Sequence, residues 1–423
     1  MITENLSVRV DPQGCWKATD TRKKVARSVA QFTSTKLFFE DAALERRKLS
    51  EHLLEGLSQP RNQKSLSSLY IYDDIGSELY KQITELEDYY PARCENEIIQ
   101  NHRKQIVAYF RSSEVVDADR NKEIYSEPKV GPANTSQKNE SKEEQAFVAT
   151  DEAASHCGKK EGCKLDDIVR GEEHNEIALV ELGAGDGTKT SSLIRELIDA
   201  GVEVEYIPID ISKYAIQSLL IAIQLEFRDS PKLHCHGLIA EYSVGLEWIR
   251  QHRPGRRSVV LFLGNSIGNF SAESSVEFLE SLRSHLQPAD IMMIGFDLKK
   301  DPEILRKAYS DCITSKFNLN LLARMNRDLG ANFDLDQFYH VANYNPVRGC
   351  MDSWLISKMR QTINVEQLAA SFELQSFEPI HTEFSYKYSI EQICELAVTS
   401  GFEHFQELSD PRGYFIDVFW RVP

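Results

Sequence analysis

Three glycines spaced two apart, Gly183, Gly185 and Gly187, follow an apolar run in "LVELGAGDGTKT" (179–190) and precede a helix-like stretch. Glycine tolerates positive φ and lets a ligand approach the backbone, so strand, tight turn and helix in this order read as a nucleotide-type binding turn. Glu181 ends that strand, and Asp210 ends the next one in "YIPID". A carboxylate at the second strand end can accept from both hydroxyls of a ribose. Dinucleotides and S-adenosylmethionine both carry such a ribose. No G-K-[ST] follows the turn, which excludes a P-loop, and "ELG" beside G-x-G-x-G favours S-adenosylmethionine, which has no phosphates to cradle. A merely tight turn in an α/β domain is the plainer alternative; the matching acids at two strand ends argue against it. Glu241 and Tyr242 follow the third strand, where a methyltransferase-like sheet would contact an adenine. A solvated glutamate and a packed tyrosine would give the same pattern.

A second group of candidates lies in "YDDIGSELYKQITELEDYYPARCENEIIQ" (72–100). Tyr72, Tyr89 and Tyr90 exceed what burial alone requires, and Tyr89 and Tyr90 stand just before Pro91, where a helix would start. Phenols at a loop-to-helix junction either pack and hydrogen-bond locally or face a small molecule. The stretch by itself leaves both open.

These residues need a frame to hold them. From Glu176 onward, apolar strands alternate with amphipathic helices through "DIMMIGFDL", the pattern of βαβ units on a parallel sheet. Before it, residues 46–110 read as three helices with apolar residues at i, i+3, i+4 spacing. Residues 302–370 return to helix and then short strands, and the end of the chain reads as a helix and a strand. The expected class is α/β; the family resemblance carried by the motifs quoted below implies that the sheet is a Rossmann-type methyltransferase domain with a second, α+β substrate-binding domain. The expected divisions are an N-terminal extension (1–45), a helical part of the substrate-binding domain (46–111), an insertion (112–175), the Rossmann-type core (176–300), the remainder of the substrate-binding domain (301–385) and a C-terminal completion of the core (386–423). The insertion is polar, charged and poor in aromatics; such a composition cannot bury enough apolar area to fold alone, and disorder is expected there.

The chain has 423 residues, 41% of them hydrophobic and 27% charged, with a net charge of −16. An acidic surface repels phosphate backbones, so nucleic acid is not an expected partner. No apolar run approaches membrane-spanning length, and the N-terminus has no apolar signal region. The eight cysteines are scattered and none forms a C-x-x-C pair. They read as reduced thiols of a cytoplasmic protein, here expected to be a monomer with a small-molecule substrate. "HCGKKEGC" (His156 to Cys163) has only a loose likeness to a metal site, and no metal is expected.

Four motifs in order, "YDDIGSELYKQITELEDYYP", "LVELGAGDGTKT", "LGNSIGNFSAE" and "HTEFSYKYS", resemble the S-adenosylmethionine-dependent L-histidine Nα-methyltransferases of the ergothioneine pathway. Related members methylate the amine of tryptophan-derived intermediates in ergot alkaloid synthesis. The resemblance runs from about Lys64 to the C-terminus, interrupted by the insertion. It implies a cleft between two domains, with the tyrosines of 72–100 facing it. Residue by residue, it implies that Gly183 and Lys189 belong to the cofactor loop, with Gly185 in the same turn, and that Asp210 binds the ribose. Glu241 and Tyr242 stand where the family has an Asp-Phe pair at the adenine. Tyr89 would lie between cofactor and substrate. Asn269 and Tyr309 would hold the substrate carboxylate, Gly264 and Tyr72 would lie near the α-amine, and Glu383 and Ser385 would read the imidazole. Tyr72, Tyr309 and Asn269 are the implied catalytic group.

The implied reaction suits these residue types. Methyl transfer from a sulfonium to an amine is an in-line displacement that needs an aligned, neutral lone pair. Phenols and backbone carbonyls orient a lone pair, whereas a carboxylate beside the amine would hold it protonated. One position departs from the family: Ser353, in "MDSWLISK", stands where the family pocket has methionine. A serine leaves room beside the ring and favours an alternative, an N-methyltransferase for another amine such as a tryptophan derivative. Glu383 and Ser385 together pull towards histidine, since an indole has no use for both. A non-catalytic binding protein on the same fold is the remaining alternative, which the intact cofactor and substrate positions oppose.

Overall fold

The computed structural model describes residues 8–10, 16–18, 32–36, 42–115, 169–185, 187–252 and 256–423. In chain order the elements are β1 (Val8–Val10), β2 (Trp16–Ala18), β3 (Phe32–Lys36), α1 (Ala42–Leu57), α2 (Asp74–Thr84), α3 (Tyr90–Arg111), β4 (Ser112–Val115), β5 (Val169–Glu173), β6 (Glu176–Leu182), α4 (Thr188–Asp199), β7 (Glu203–Asp210), α5 (Lys213–Phe227), β8 (Leu233–Ile239), α6 (Tyr242–His252) and β9 (Ser258–Phe262). Then come α7 (Ala272–Arg283), β10 (Ile291–Asp297), α8 (Pro302–Ala308), α9 (Cys312–Leu329), β11 (Phe338–Asn345), β12 (Cys350–Ser357), β13 (Gln361–Val365), β14 (Ala370–Leu374), β15 (Pro379–Tyr386), α10 (Ile390–Thr399), β16 (Glu403–Ser409) and β17 (Phe415–Arg421).

The main sheet has eight strands in the order β16-β17-β10-β9-β6-β7-β8-β3. Strands β6 to β10 run parallel, and β17 runs antiparallel to both β10 and β16. Helices cover both faces, so β10 is buried along its whole length and β6 along all but its first residue. Chain order reverses between β6 and β9. In such sheets the ligand crevice lies at the carboxyl ends of the strands beside the reversal. The glycine turn after β6 and the Gly264 loop after β9 both emerge there.

The second part is a three-stranded antiparallel sheet, β11-β12-β15, backed by helices. Helix α9 touches α1, α2 and β11. It is capped at its start by Asp311, which accepts from the backbone of Ile313 and Thr314, and stopped by Gly330 at φ 63°. The early chain is sewn to the late chain by Leu66 donating to the His381 carbonyl at 2.8 Å and His381 donating to the Lys64 carbonyl at 2.9 Å.

Several elements differ from the sequence expectations. Helix α3 was placed with the substrate-binding part, yet it packs on α4 and β17, with Tyr109 and Phe110 against Phe419. Periodicity marks a helix with an apolar face but not the layer that receives it. The insertion was expected to be disordered from 112 to 175, but β4 and β5 pair at its two ends, with Val115 opposite Val169. Residues 116–168, with "HCGKKEGC", lie outside the described residues. The expected extension (1–45) contributes β3, which pairs in parallel with β8 at the sheet edge. The C-terminus contains β16 besides the helix and strand expected.

Candidate active site

One cavity gathers residues from seven places in the chain. Tyr72 follows the 3₁₀ turn Ser68–Ile71, Tyr80 comes from α2, and Tyr89 stands at the N-cap of α3, where Pro91 starts the helix with its fixed φ. The loop after β9 contributes Gly264, Asn265 and Asn269, and the turn after α8 contributes Tyr309. Phe317 on α9 and Glu383 and Ser385 on β15 close the wall. The rings meet edge to face: Tyr72 on Phe317 at 5.3 Å, Tyr72 on Tyr80 at 5.8 Å and Tyr89 on Tyr309 at 6.0 Å between centroids. Tyr80 and Tyr89 also meet edge to face, at 6.5 Å. Tyr90 behaves differently. It is buried behind the wall, and its hydroxyl donates to the Asp297 carboxylate at 2.7–2.8 Å. Adjacent residues at a helix start diverge by about 100°, so one tyrosine faces the cavity and its neighbour faces the sheet.

Behind Tyr309 and Ser385 lies a buried polar network. The Lys387 ammonium donates to the Tyr309 hydroxyl, to Ser385 Oγ and to Asp297 Oδ2, each at 2.8 Å. Its three protons are thereby used. Asn265 accepts from the Asp297 backbone at 2.9 Å and approaches Ser385 Oγ with its amide at 3.4 Å. The hydroxyls of Tyr309 and Ser385 are 2.9 Å apart. Each accepts from the lysine and one donates to the other, so one hydroxyl proton remains for the cavity. A hydroxyl donor with a buried cation behind it suits an anionic group such as a carboxylate. Burial alone would lower the pKa of Lys387, and the neighbouring Asp297 carboxylate reverses that and keeps the ammonium charged. The resemblance assigned Ser385 to the imidazole; its oxygen is already committed to this network.

Glu383 is the other pole of the cavity. Its carboxylate has no hydrogen-bond partner among the described residues, and burial raises its pKa to about 7 against a smaller opposing pull from Lys387. Burial, and then Glu383, hold the Tyr72 hydroxyl neutral. Ser353 stands opposite Glu383 in the β12–β15 ladder, buried beside the cavity wall without lining it.

On the cofactor side, Gly183 and Gly185 take φ of 72° and 54°. A Cβ on Gly185 would meet open space, whereas one on Gly183 would lie 2.8 Å from the Tyr242 hydroxyl. Asp210 accepts from the Ser212 backbone at 2.8 Å, and burial raises its pKa to about 6. A partly buried carboxylate held only by backbone, beside a glycine turn open to space, fits the ribose hydroxyls of S-adenosylmethionine. Tyr242 packs on Phe262 and Phe278 and senses the Asp210 charge, beside the glycine turn. Glu241 does not join it there: its half-exposed carboxylate lies 3.7 Å from Lys48 on α1. Glu181 is structural, accepting from Thr190 Oγ1 at 2.6 Å and from the Tyr206 hydroxyl. Lys189 is ion-paired to Glu95 of α3.

Sequence reasoning missed Tyr80, Asn265, Phe317, Lys387, Asp297 and Glu95. Lys387 carried a signal, a lysine between two tyrosines in an apolar strand context, "SYKYS". Asn265 and Lys387 both fall inside motifs quoted above. Glu95, inside an amphipathic helix, carried none.

The pattern that defines the S-adenosylmethionine-dependent, histidine-specific methyltransferases matches residues 49–119 and 163–422. Among curated relatives, the histidine N-alpha-methyltransferase of Mycolicibacterium smegmatis is 30% identical over 83% of this chain and 88% of its own length. The ergothioneine biosynthesis protein 1 of Neurospora crassa is 24% identical over 81% of this chain, which spans 32% of that longer protein. The L-tryptophan methyltransferase of Psilocybe serbica is 21% identical over 82% of this chain and 86% of its own. With the family pattern spanning both parts of the fold, and with the glycine turn, the strand-end acid and the aromatic cavity in place, the chain belongs to the S-adenosylmethionine-dependent, histidine-specific methyltransferase family.

Proposed function

We propose that this enzyme methylates the α-amine of L-histidine, three times in succession, to the trimethylated betaine used in ergothioneine synthesis. The observation that carries the reading is the polarity of the cavity. One end offers a hydroxyl proton backed by Lys387, suited to a carboxylate, and Glu383 offers an acceptor with no hydrogen-bond partner among the described residues, suited to an imidazole N–H. The relatives named for histidine methylation and for ergothioneine biosynthesis support the same substrate. A cytoplasmic monomer belongs to the same proposal.

S-adenosylmethionine, when bound, supplies the methyl group as an electrophilic carbon on sulfur. Asp210, Gly183, Gly185 and Tyr242 would hold it. Tyr309 and Asn269 anchor the substrate carboxylate, which fixes the amine at a set distance from the cofactor side. Tyr72 stays neutral in its buried setting and, with the backbone at Gly264, orients the amine lone pair without trapping it as an ion pair. Glu383 accepts the ring N–H, and the aromatic wall excludes water. Orientation of this kind supplies most of what an in-line displacement needs.

A second reading, an N-methyltransferase for a larger amine such as a tryptophan derivative, is favoured by Ser353 beside the ring position and by the tryptophan-methylating relative. Mass spectrometry of products from purified protein, S-adenosylmethionine and a panel of amino acids separates the two. Trimethylated histidine as the dominant product supports the first; methylated tryptophan with no histidine product overturns it.

A further inference from the structure

Glu95 lies on the second turn of α3 and is completely buried, yet it is not part of the cavity wall. One oxygen accepts from the backbone N–H of Gly264 at 2.7 Å, and the other is ion-paired to Lys189. Gly264 opens the loop that carries Asn265 and Asn269 to the substrate cavity. Lys189 is on the first turn of α4, directly after the cofactor turn, and its side chain is 25% exposed. A single carboxylate therefore touches the loop of each ligand.

Its seat is built. A Cβ on Gly295 of β10 would collide with the Glu95 carboxylate, so only glycine there admits it. Opposite Gly295 on β17 stands Asp417, fully buried, with neither oxygen hydrogen-bonded among the described residues. Asp417 senses Glu95 and Lys189 electrostatically, and burial holds its carboxyl well above the usual range. Two acids thus share one lysine. Glu95 holds two donors, and Asp417 has none among the described residues.

We propose that Glu95 is a positioning residue that couples cofactor binding to amino-acid binding. The proposal rests on the assignment of Lys189 to the cofactor and of the Gly264 loop to the substrate. A ligand that draws on Lys189 shifts the Glu95 carboxylate, and that shift changes its bond to Gly264 and the set of the 264–269 loop. By reciprocity, a substrate that fixes the loop fixes Glu95 and presents Lys189 in one orientation.

The test is calorimetric binding of S-adenosylhomocysteine and of L-histidine to the intact chain, each alone and each with the other saturating. Wild type is expected to show at least about a fivefold gain in either affinity when the other ligand is present, at the lower end of the range for coupled sites. Glu95→Gln is expected to bring that ratio close to one. Asp417→Asn added to Glu95→Gln removes the carboxylate that would otherwise stand in beside Lys189. General loss of stability lowers both affinities but leaves their ratio unchanged, so the ratio separates coupling from damage. Should Glu95→Gln fail to fold, Lys189→Gln reads the same ratio from the partly exposed end of the pair. A ratio of one in wild type, or an undiminished ratio in the variants, overturns the proposal. Turnover is followed in parallel by mass spectrometry. If wild type methylates another amine and not histidine, the substrate reading fails, and the ratio is measured with that amine instead.

Discussion

Glu383, which reads the imidazole in the proposed function, costs the fold stability once it ionises. Its proton is held to about pH 7 in the folded protein, above the value of about 4.5 in an unfolded chain. The folded state therefore binds more protons between these values. Its contribution to stability is full below about pH 4.5 and lost as pH rises through 7. Glu383→Gln removes the partly buried charge, so its melting temperature should exceed that of wild type at pH 8 by a few degrees and match it at pH 4.5. Scanning calorimetry at the two pH values checks this; a gain confined to low pH would contradict the assignment. Activity should move the other way. Recognition needs the carboxylate, so kcat/KM for histidine should fall on the acid side of about pH 7. Glu383→Ala should cost about a hundredfold in kcat/KM, or roughly 2–3 kcal/mol, because the imidazole N–H is left unpaired. Tryptophan turnover should lose far less. At Asp210, substitution by alanine should raise KM for S-adenosylmethionine about tenfold or more, with a smaller change in KM for the amino acid. Equal changes in both would detach Asp210 from the ribose.

Elements were legible in the sequence to the extent that their own residues specify them. The parallel strands announced themselves because burial on both faces demands continuous apolar runs. Helix α3 was visible through its spacing and Pro91, but its packing on α4 and β17 depends on partners far away in the chain. The strand β16, "EHFQELS", mixes polar and apolar residues at a sheet edge and resembles a loop when read alone. The cavity shows the same division. Tyr72, Tyr89, Asn269, Tyr309 and Glu383 were reachable through motifs, whereas Glu95 and Asp297 gain meaning only from contacts over 169 and 207 residues of separation. The β4–β5 pair yields a prediction at this scale. It brings Val115 opposite Val169, so replacing residues 116–168 with a short Gly/Ser turn joins positions that are already adjacent. Closing a loop about tenfold shorter saves about 2 kcal/mol. The shortened protein should melt higher and keep kcat/KM within a few-fold. A folded but inactive product would show that the removed residues build part of the site.

Across the whole molecule, Asp297 sits where the two parts meet. It ends β10 in the main sheet and is completely buried; it takes Lys387 from the far side of β15, Lys300 from the following loop and the Tyr90 hydroxyl from α3. Asp297→Asn leaves two buried ammonium groups with no counter-charge. The expected loss is about 3–5 kcal/mol. Urea denaturation monitored by tryptophan fluorescence checks it, and a loss under about 1 kcal/mol would mean that the lysines find other partners.

The first two turns of α3 have a consequence for how the protein comes apart. Within seven residues, Tyr89 enters the cavity, Tyr90 holds the Asp297 network, Glu95 holds the cofactor loop, and Cys94 lies 3.2 Å from Arg412 on the approach to β17. Neither part can detach while that helix start stays folded, and the helix start has no stable place once either part leaves. The molecule should therefore lose its structure as a single cooperative unit. One calorimetric transition is expected, with its van't Hoff and calorimetric enthalpies in agreement, although the eight-stranded and three-stranded sheets are separate layers of architecture.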